Sequence, residues 1–228
     1  MKFSTEQFEA LTKKSFKGWS RFYDSKVTRL FYFGRVYRKL IQTIKKEAKH
    51  YLKPGSRLVD IACGTGEIIL HLAQDFPQVE FTGSDFSEEM LKKAKSKNAD
   101  LSNVKIVNAN VRDLPFPDSS FDVILCSDAF HHFASPEESL KEINRVAKED
   151  SVFLLVDPAF DTLFQRIVAG AFGKVFETPK KYYSKNELVS LLVGAKFNVN
   201  EIFSYYFTNF LICKKRNNLG SKIKGLKK

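Results

Sequence analysis

The run Leu58–Val59–Asp60–Ile61–Ala62–Cys63–Gly64–Thr65–Gly66–Glu67–Ile68 constrains this chain more than any other stretch. An apolar strand ending near an acid leads into a small-residue turn, and a helix follows from about Gly66. Glycine admits positive φ and leaves no Cβ in the way of a ligand. The first turn of a helix offers unpaired N–H groups and a partial positive charge. Asp60 therefore stands beside a surface that a polar ligand can approach closely. A second strand, Val79–Glu80–Phe81–Thr82–Gly83–Ser84–Asp85, also ends in an acid. An acid at that distance from a glycine-rich turn suits the two hydroxyls of a ribose.

From Ser56 onward, strand-like and helix-like segments alternate. Strand 57–61 precedes helix 66–75, strand 79–84 precedes helix 87–98, and strand 104–108 leads to a loop holding Pro115 and Pro117. Strand 121–127 is followed by a short helical turn and helix 136–147, then strand 151–157 ending at Pro158. Such alternation predicts an α/β fold, a mostly parallel doubly wound sheet with helices on both faces. Residues 161–176 read as an apolar helical insert. Helix 184–194 opens with a capping-box pattern, Ser184 and Glu187. Strands 196–203 and 205–213 are too close in sequence to pair other than antiparallel. Ahead of this body, helices are expected over 4–17 and 25–50, ended by Pro54–Gly55.

Charge divides the chain the same way. Of the net +11, residues 1–53 carry +10, residues 54–213 carry −6 and residues 214–228 carry +7. Three segments follow: an N-terminal helical lid (1–53), a core domain (54–213) and a basic tail (214–228). Helix 25–50 sets eight basic residues beside an apolar stripe, and Phe31–Tyr32–Phe33 form an aromatic wedge within it. Basic ends favour an anionic partner: a membrane surface or, second, a nucleic acid. A solvated helix packed on the core explains the same pattern. Cys63, Cys126 and Cys213 form no CxxC pair, no signal-peptide core opens the chain and no run is long enough to span a membrane. A cytoplasmic protein, peripheral to a membrane at most, is expected. No metal-ligand spacing is visible.

The strand–turn–helix run, the second strand, "SDFSEEML" (84–91), "NVRDLPFPDSSFDVILCSDAFHHF" (110–133) and "EINRVAKEDSVFLLVDP" (142–158) together resemble class I S-adenosylmethionine (SAM) methyltransferases, of the broad group that includes the ubiquinone and menaquinone C-methyltransferases. The resemblance implies a Rossmann-like, seven-stranded sheet with a reversed C-terminal strand, SAM as cofactor, and methyl transfer to a small-molecule or lipid-related acceptor. It assigns Gly64 and Gly66 to the methionine part of SAM, with Ala62 in place of the usual first glycine and Asp60 fixing the turn or the amino group. Asp85 would take the ribose, Phe86 the adenine face, and Met90 would pack behind it. Asn110, where the family often has Asp, and Val111 match the adenine edge. Cys126 and Ser127 end the fourth strand beneath the sulfonium. Tyr23, with Trp19 and Phe22, resembles an aromatic lid over the methionine end. His131 follows a strand end and is the candidate base; the same place suits a residue that shapes the pocket. Residues 1–53 and 160–183 are expected to cover the acceptor. The alternatives are an RNA or protein methyltransferase and a SAM-binding protein without turnover. The glycine spacing does not match the G-x-G-x-x-G of a nicotinamide dehydrogenase.

Overall fold

The computed structural model describes residues 4–23, 34–158 and 181–216, with side chains left aside at 16–23, 34 and 36. Helices α1 (Thr5–Tyr23) and α2 (Gly34–Glu47) precede the core. The core then runs β1 (Arg57–Ile61), α3 (Glu67–Asp75), β2 (Glu80–Asp85), α4 (Glu88–Lys97), β3 (Val104–Asn108) and β4 (Phe121–Ser127). A 3-10 turn, Phe130–His132, leads to α5 (Pro136–Val146) and β5 (Ala147–Pro158). Last come α6 (Lys185–Gly194), β6 (Phe197–Tyr205) and β7 (Thr208–Lys215). The seven strands lie in the order β3-β2-β1-β4-β5-β7-β6. Strands β1 to β5 pair parallel, while β7 runs antiparallel to both β5 and β6. This is the doubly wound sheet that the alternation predicts, with its reversed C-terminal strand.

Period-2 alternation sorts the strands onto two cores. Val59, Ile61, Ile124, Phe153 and Leu155 pack against α5 and α6 through Leu140, Ile143, Leu188 and Leu192. Leu58, Val123, Leu125, Leu154 and Val156 pack on the other face, against Leu40 and Ile44 of α2 and Ile69 and Leu72 of α3. Side chains as fully buried as Ile44, Ile69 and Leu72 contribute about 1.5–3 kcal/mol each. Helix α2 is thus a structural layer of the sheet.

Four boundaries differ from expectation, the first being that α2 ends at Glu47 rather than at 50. Helix α1 runs six residues past 17, to Tyr23. Strand β5 begins at Ala147 rather than 151, because α5 turns straight into extended backbone at Ala147 and that residue pairs with Phe121 before a bulge. The β6–β7 turn falls at Tyr206–Phe207, two residues later than expected. Tyr206 takes φ +53, a conformation usually left to Gly or Asn, so no turn residue marks the place. The capping box at Ser184 and Glu187 forms as read. The expected insert 161–176, the wedge Phe31–Tyr32–Phe33, the first part of helix 25–50 and the tail beyond Arg216 lie outside the described residues. No described helix is long and apolar enough to cross a membrane.

Candidate functional site

The strand order reverses between β1 and β4, since β2 lies on one side of β1 and β4 on the other. In such sheets the crevice beyond the carboxyl ends at that point binds ligands. A cavity occupies it. The β1–α3 loop supplies Ala62, Cys63 and Gly64; the end of β2 supplies Ser84, Asp85 and Phe86, with Met90 from α4. Residues Ala109–Val111 follow β3, and Ser127, Asp128, His132 and Phe133 come from the end of β4 and the turn after it. Glu9 and Thr12 of α1 and Tyr37 of α2 complete the wall.

The β1–α3 loop is held from three sides. Gly64 sits at φ +55 and an added Cβ there would meet nothing within 4 Å, so its open side is free for a ligand. Gly66 is different: at φ +71, an added Cβ would lie 2.8 Å from Asn98 Nδ2 and 3.1 Å from Ala94 Cβ. Close packing by the end of α4 is what demands a glycine at 66. From the same helix end, Lys97 Nζ donates to Thr65 Oγ1 and to Glu67 Oε2, each at 3.0 Å. Sequence reasoning missed Lys97 and Asn98, whose partners lie about thirty positions away. Ala62 also lies at positive φ, +56.

Asp85 is buried and braces two segments at once. Its Oδ2 accepts the Gly64 N–H at 2.9 Å and its Oδ1 accepts the Ser87 N–H at 2.8 Å. Burial raises its pKa, and the backbone donors of Ser87, Gly64 and Phe86 oppose that rise. Asp60 lies deeper, 1% exposed, and neither carboxylate oxygen has a hydrogen-bond partner among the described residues. Burial, with the neighbouring Asp85 second, pushes its pKa up to about 8. A buried carboxyl without donors holds its proton unless a cation arrives. Cys63 faces the cavity, but burial and the two aspartates push its thiol well up, so it stays protonated and weakly nucleophilic. Among the described residues, all three cysteines are free and no group of His, Cys, Asp and Glu is placed to hold a metal.

On the opposite wall, Asn110 Nδ2 donates to Glu9 at 3.2 Å while its Oδ1 accepts the Arg112 N–H at 3.0 Å. Arg112 grips Glu9 with two parallel bonds, 2.8 and 3.0 Å long. This fork ties α1 across the cavity. Of the residues the sequence singled out, Ala62, Gly64, Asp85, Phe86, Met90, Asn110, Val111 and Ser127 border the cavity; Asp60, Gly66 and Cys126 lie behind it. The side chain of Tyr23, with those of Trp19 and Phe22, is outside the described residues. His131 does not border the cavity. It is 4% exposed, its Nδ1 lies 3.0 Å from Asp157 Oδ1, and its ring stacks on Tyr182 with centroids 5.8 Å apart. The next residue, His132, borders the cavity and lies ring to ring with His131 at 4.1 Å. Glu9, Thr12 and Tyr37 had no signal beyond their proximity to aromatic or basic runs, whereas His132 belongs to the His131–His132 pair, which in sequence tempts a catalytic or metal reading.

A family profile described as "Methyltransferase domain" matches residues 52–206. The chain belongs to the methyltransferase-domain family. A demethylmenaquinone methyltransferase of Staphylococcus aureus is 33% identical over 142 residues, which cover 58% of this chain and 59% of that protein. The YcgJ protein of Bacillus subtilis superposes with a TM-score of 0.63 at 26% identity, over 72% of this chain and 71% of its own. A SAM-dependent methyltransferase from Aquifex aeolicus shares the fold at TM-score 0.63 and 19% identity, over 94% and 100%. The sheet order with its reversed C-terminal strand is the class I methyltransferase fold.

Proposed function

We infer that the chain is a SAM-dependent methyltransferase acting on a small, lipid-related acceptor. The observation that carries this reading is the pairing of two buried acids around one open glycine loop. Asp85 stands at the end of β2 where a ribose is held in this fold, and Asp60 is a buried carboxyl with no donor among the described residues. A bound SAM would supply an electrophilic methyl group on a positively charged sulfur.

The remaining work belongs to the chain. Asp85 accepts hydroxyl hydrogen bonds while it fixes the Gly64 loop. Asp60 offers its empty acceptor oxygens to a group bearing N–H or positive charge. Phe86 and Met90 supply an apolar wall for an aromatic base, and Asn110 and Val111 a polar edge. Glu9, Thr12 and Tyr37 close the cavity from α1 and α2 and exclude water, which alignment-driven transfer requires. Where the acceptor must lose a proton, His132 stands on the wall to take it, and the buried His131–Asp157 pair positions it.

The relative named for demethylmenaquinone makes that compound the first acceptor to assay. Cofactor binding is tested by calorimetry with S-adenosylhomocysteine, expected at one site per chain. Asp85→Ala removes a charge-assisted partner worth about 1.5–3 kcal/mol, so affinity should fall at least about tenfold. Wild-type protein that binds no SAM or S-adenosylhomocysteine would overturn the reading.

A further inference from the structure

Outside the cavity, one surface combines cations with exposed aromatic rings. The β6–β7 turn presents Tyr206 and Phe207, 58% and 60% exposed, the two most exposed large hydrophobic residues among the described residues. Beside them a shallow depression is lined by Arg35, Arg38, Lys39 and Gln42 of α2 and by Tyr205 and Tyr206. Among the described residues, no carboxylate lines it. The two elements are joined: Arg35 Nη1 donates to the Tyr206 hydroxyl at 2.8 Å, and Lys39 Nζ lies 5.6 Å above the Phe203 ring and 5.8 Å above that of Tyr205. Tyr205 and Tyr206 pack edge to face at 4.8 Å.

We propose that this patch docks the protein onto the surface of a bilayer containing anionic phospholipids, with Tyr206 and Phe207 entering the headgroup layer and Arg35, Arg38 and Lys39 over the lipid phosphates. Amphipathic rings beside cations suit the boundary between headgroups and acyl chains. Each basic residue there adds attraction that fades within a Debye length. The patch is small, with its exposed rings at a hairpin tip beside a shallow depression, which favours a lipid surface over a single-stranded nucleic acid that needs a tracked backbone. Docking by this patch is independent of which acceptor is methylated.

The test is sedimentation of the full chain with vesicles of phosphatidylcholine alone and of phosphatidylcholine mixed with phosphatidylglycerol. Binding is expected to the mixed vesicles only, and to vanish in high salt. The triple variant Arg35→Glu, Arg38→Glu, Lys39→Glu and the double variant Tyr206→Ser, Phe207→Ser should each lower partitioning about tenfold or more. Thermal melting and S-adenosylhomocysteine binding unchanged in both variants shows that they fold. Wild-type protein that binds neither vesicle, or both variants binding as the wild type does, overturns the proposal. So does capture of single-stranded RNA that the aromatic variant leaves intact while vesicle binding is absent. Sedimentation needs neither cofactor nor turnover, so its failure is distinct from failure of the methyltransferase reading.

Discussion

Asp60 is where burial and chemistry meet most sharply. Its carboxyl titrates at about 8 in the folded chain against 3.8 ordinarily. Between those values the folded state holds a proton that the unfolded state has released. Stability therefore falls as pH rises through that window and levels off above it. The groups around it, Asp85, Cys63 and Cys126, are acids that add no positive charge. Asp60→Asn should flatten this slope: denaturation midpoints of wild type and variant, compared from pH 5 to pH 8, should converge or cross as the wild type weakens. Parallel curves for the two proteins would show that Asp60 is ionised throughout. Ala62 gives a second residue-scale prediction. A left-handed conformation costs an L residue about 1–2 kcal/mol, and glycine recovers part of that at an entropic cost of about 0.5–1. Ala62→Gly should stabilise the protein by about 0.5 kcal/mol in urea titrations; destabilisation would mean that the methyl group packs favourably. The glycine loop and both acids were legible because strand ends carry them in sequence order. The braces on the loop were not: Lys97 and Asn98 act through tertiary distance, and nothing in their local pattern distinguishes them from a solvated helix end.

At the scale of elements, the sheet was legible because β1, β4 and β5 are built on apolar runs and the first five strands alternate with helices or with turns rich in Gly and Pro. The β6–β7 turn was misplaced because Tyr206 takes a glycine-like conformation. The early start of β5 was hidden by Lys148–Glu149–Asp150, which read as a loop. Helix α1 could be read as a helix, but not where it docks. Its placement rests on Glu9, which meets Arg112 103 positions away. Among its described side chains, Phe8 and Thr12 are buried. The bidentate Glu9–Arg112 pair is half-buried, and removing it should free the lid rather than unfold the core. Arg112→Ala is expected to speed dissociation of S-adenosylhomocysteine severalfold in stopped-flow experiments while leaving the melting temperature within a few degrees. Unchanged dissociation would remove the fork from the closure of the site.

The whole molecule is a two-faced sheet with a cavity at one end, and α1 is tied across it through Glu9. Its parts differ in how firmly they are held. The central strands bury nearly every side chain, whereas the described part of α1 makes polar bonds to the loop after β3. Local opening draws on the least buried elements, and a ligand stabilises whatever must close around it. A ligand seated between the Gly64 loop and α1 contacts both. Saturating S-adenosylhomocysteine should therefore slow amide exchange in two regions far apart in sequence, the β1–α3 loop and α1. Strand β6, at the sheet edge beyond β7 and remote from the crevice, should exchange as before. Protection confined to 62–66 would mean that α1 stays open over a bound cofactor, and that Glu9 and Thr12 serve the acceptor or the free protein instead. Protection spreading equally to β6 would mean global stabilisation without a lid. Only the joint response of loop and α1, with β6 silent, fits a cavity that closes by docking its N-terminal helix.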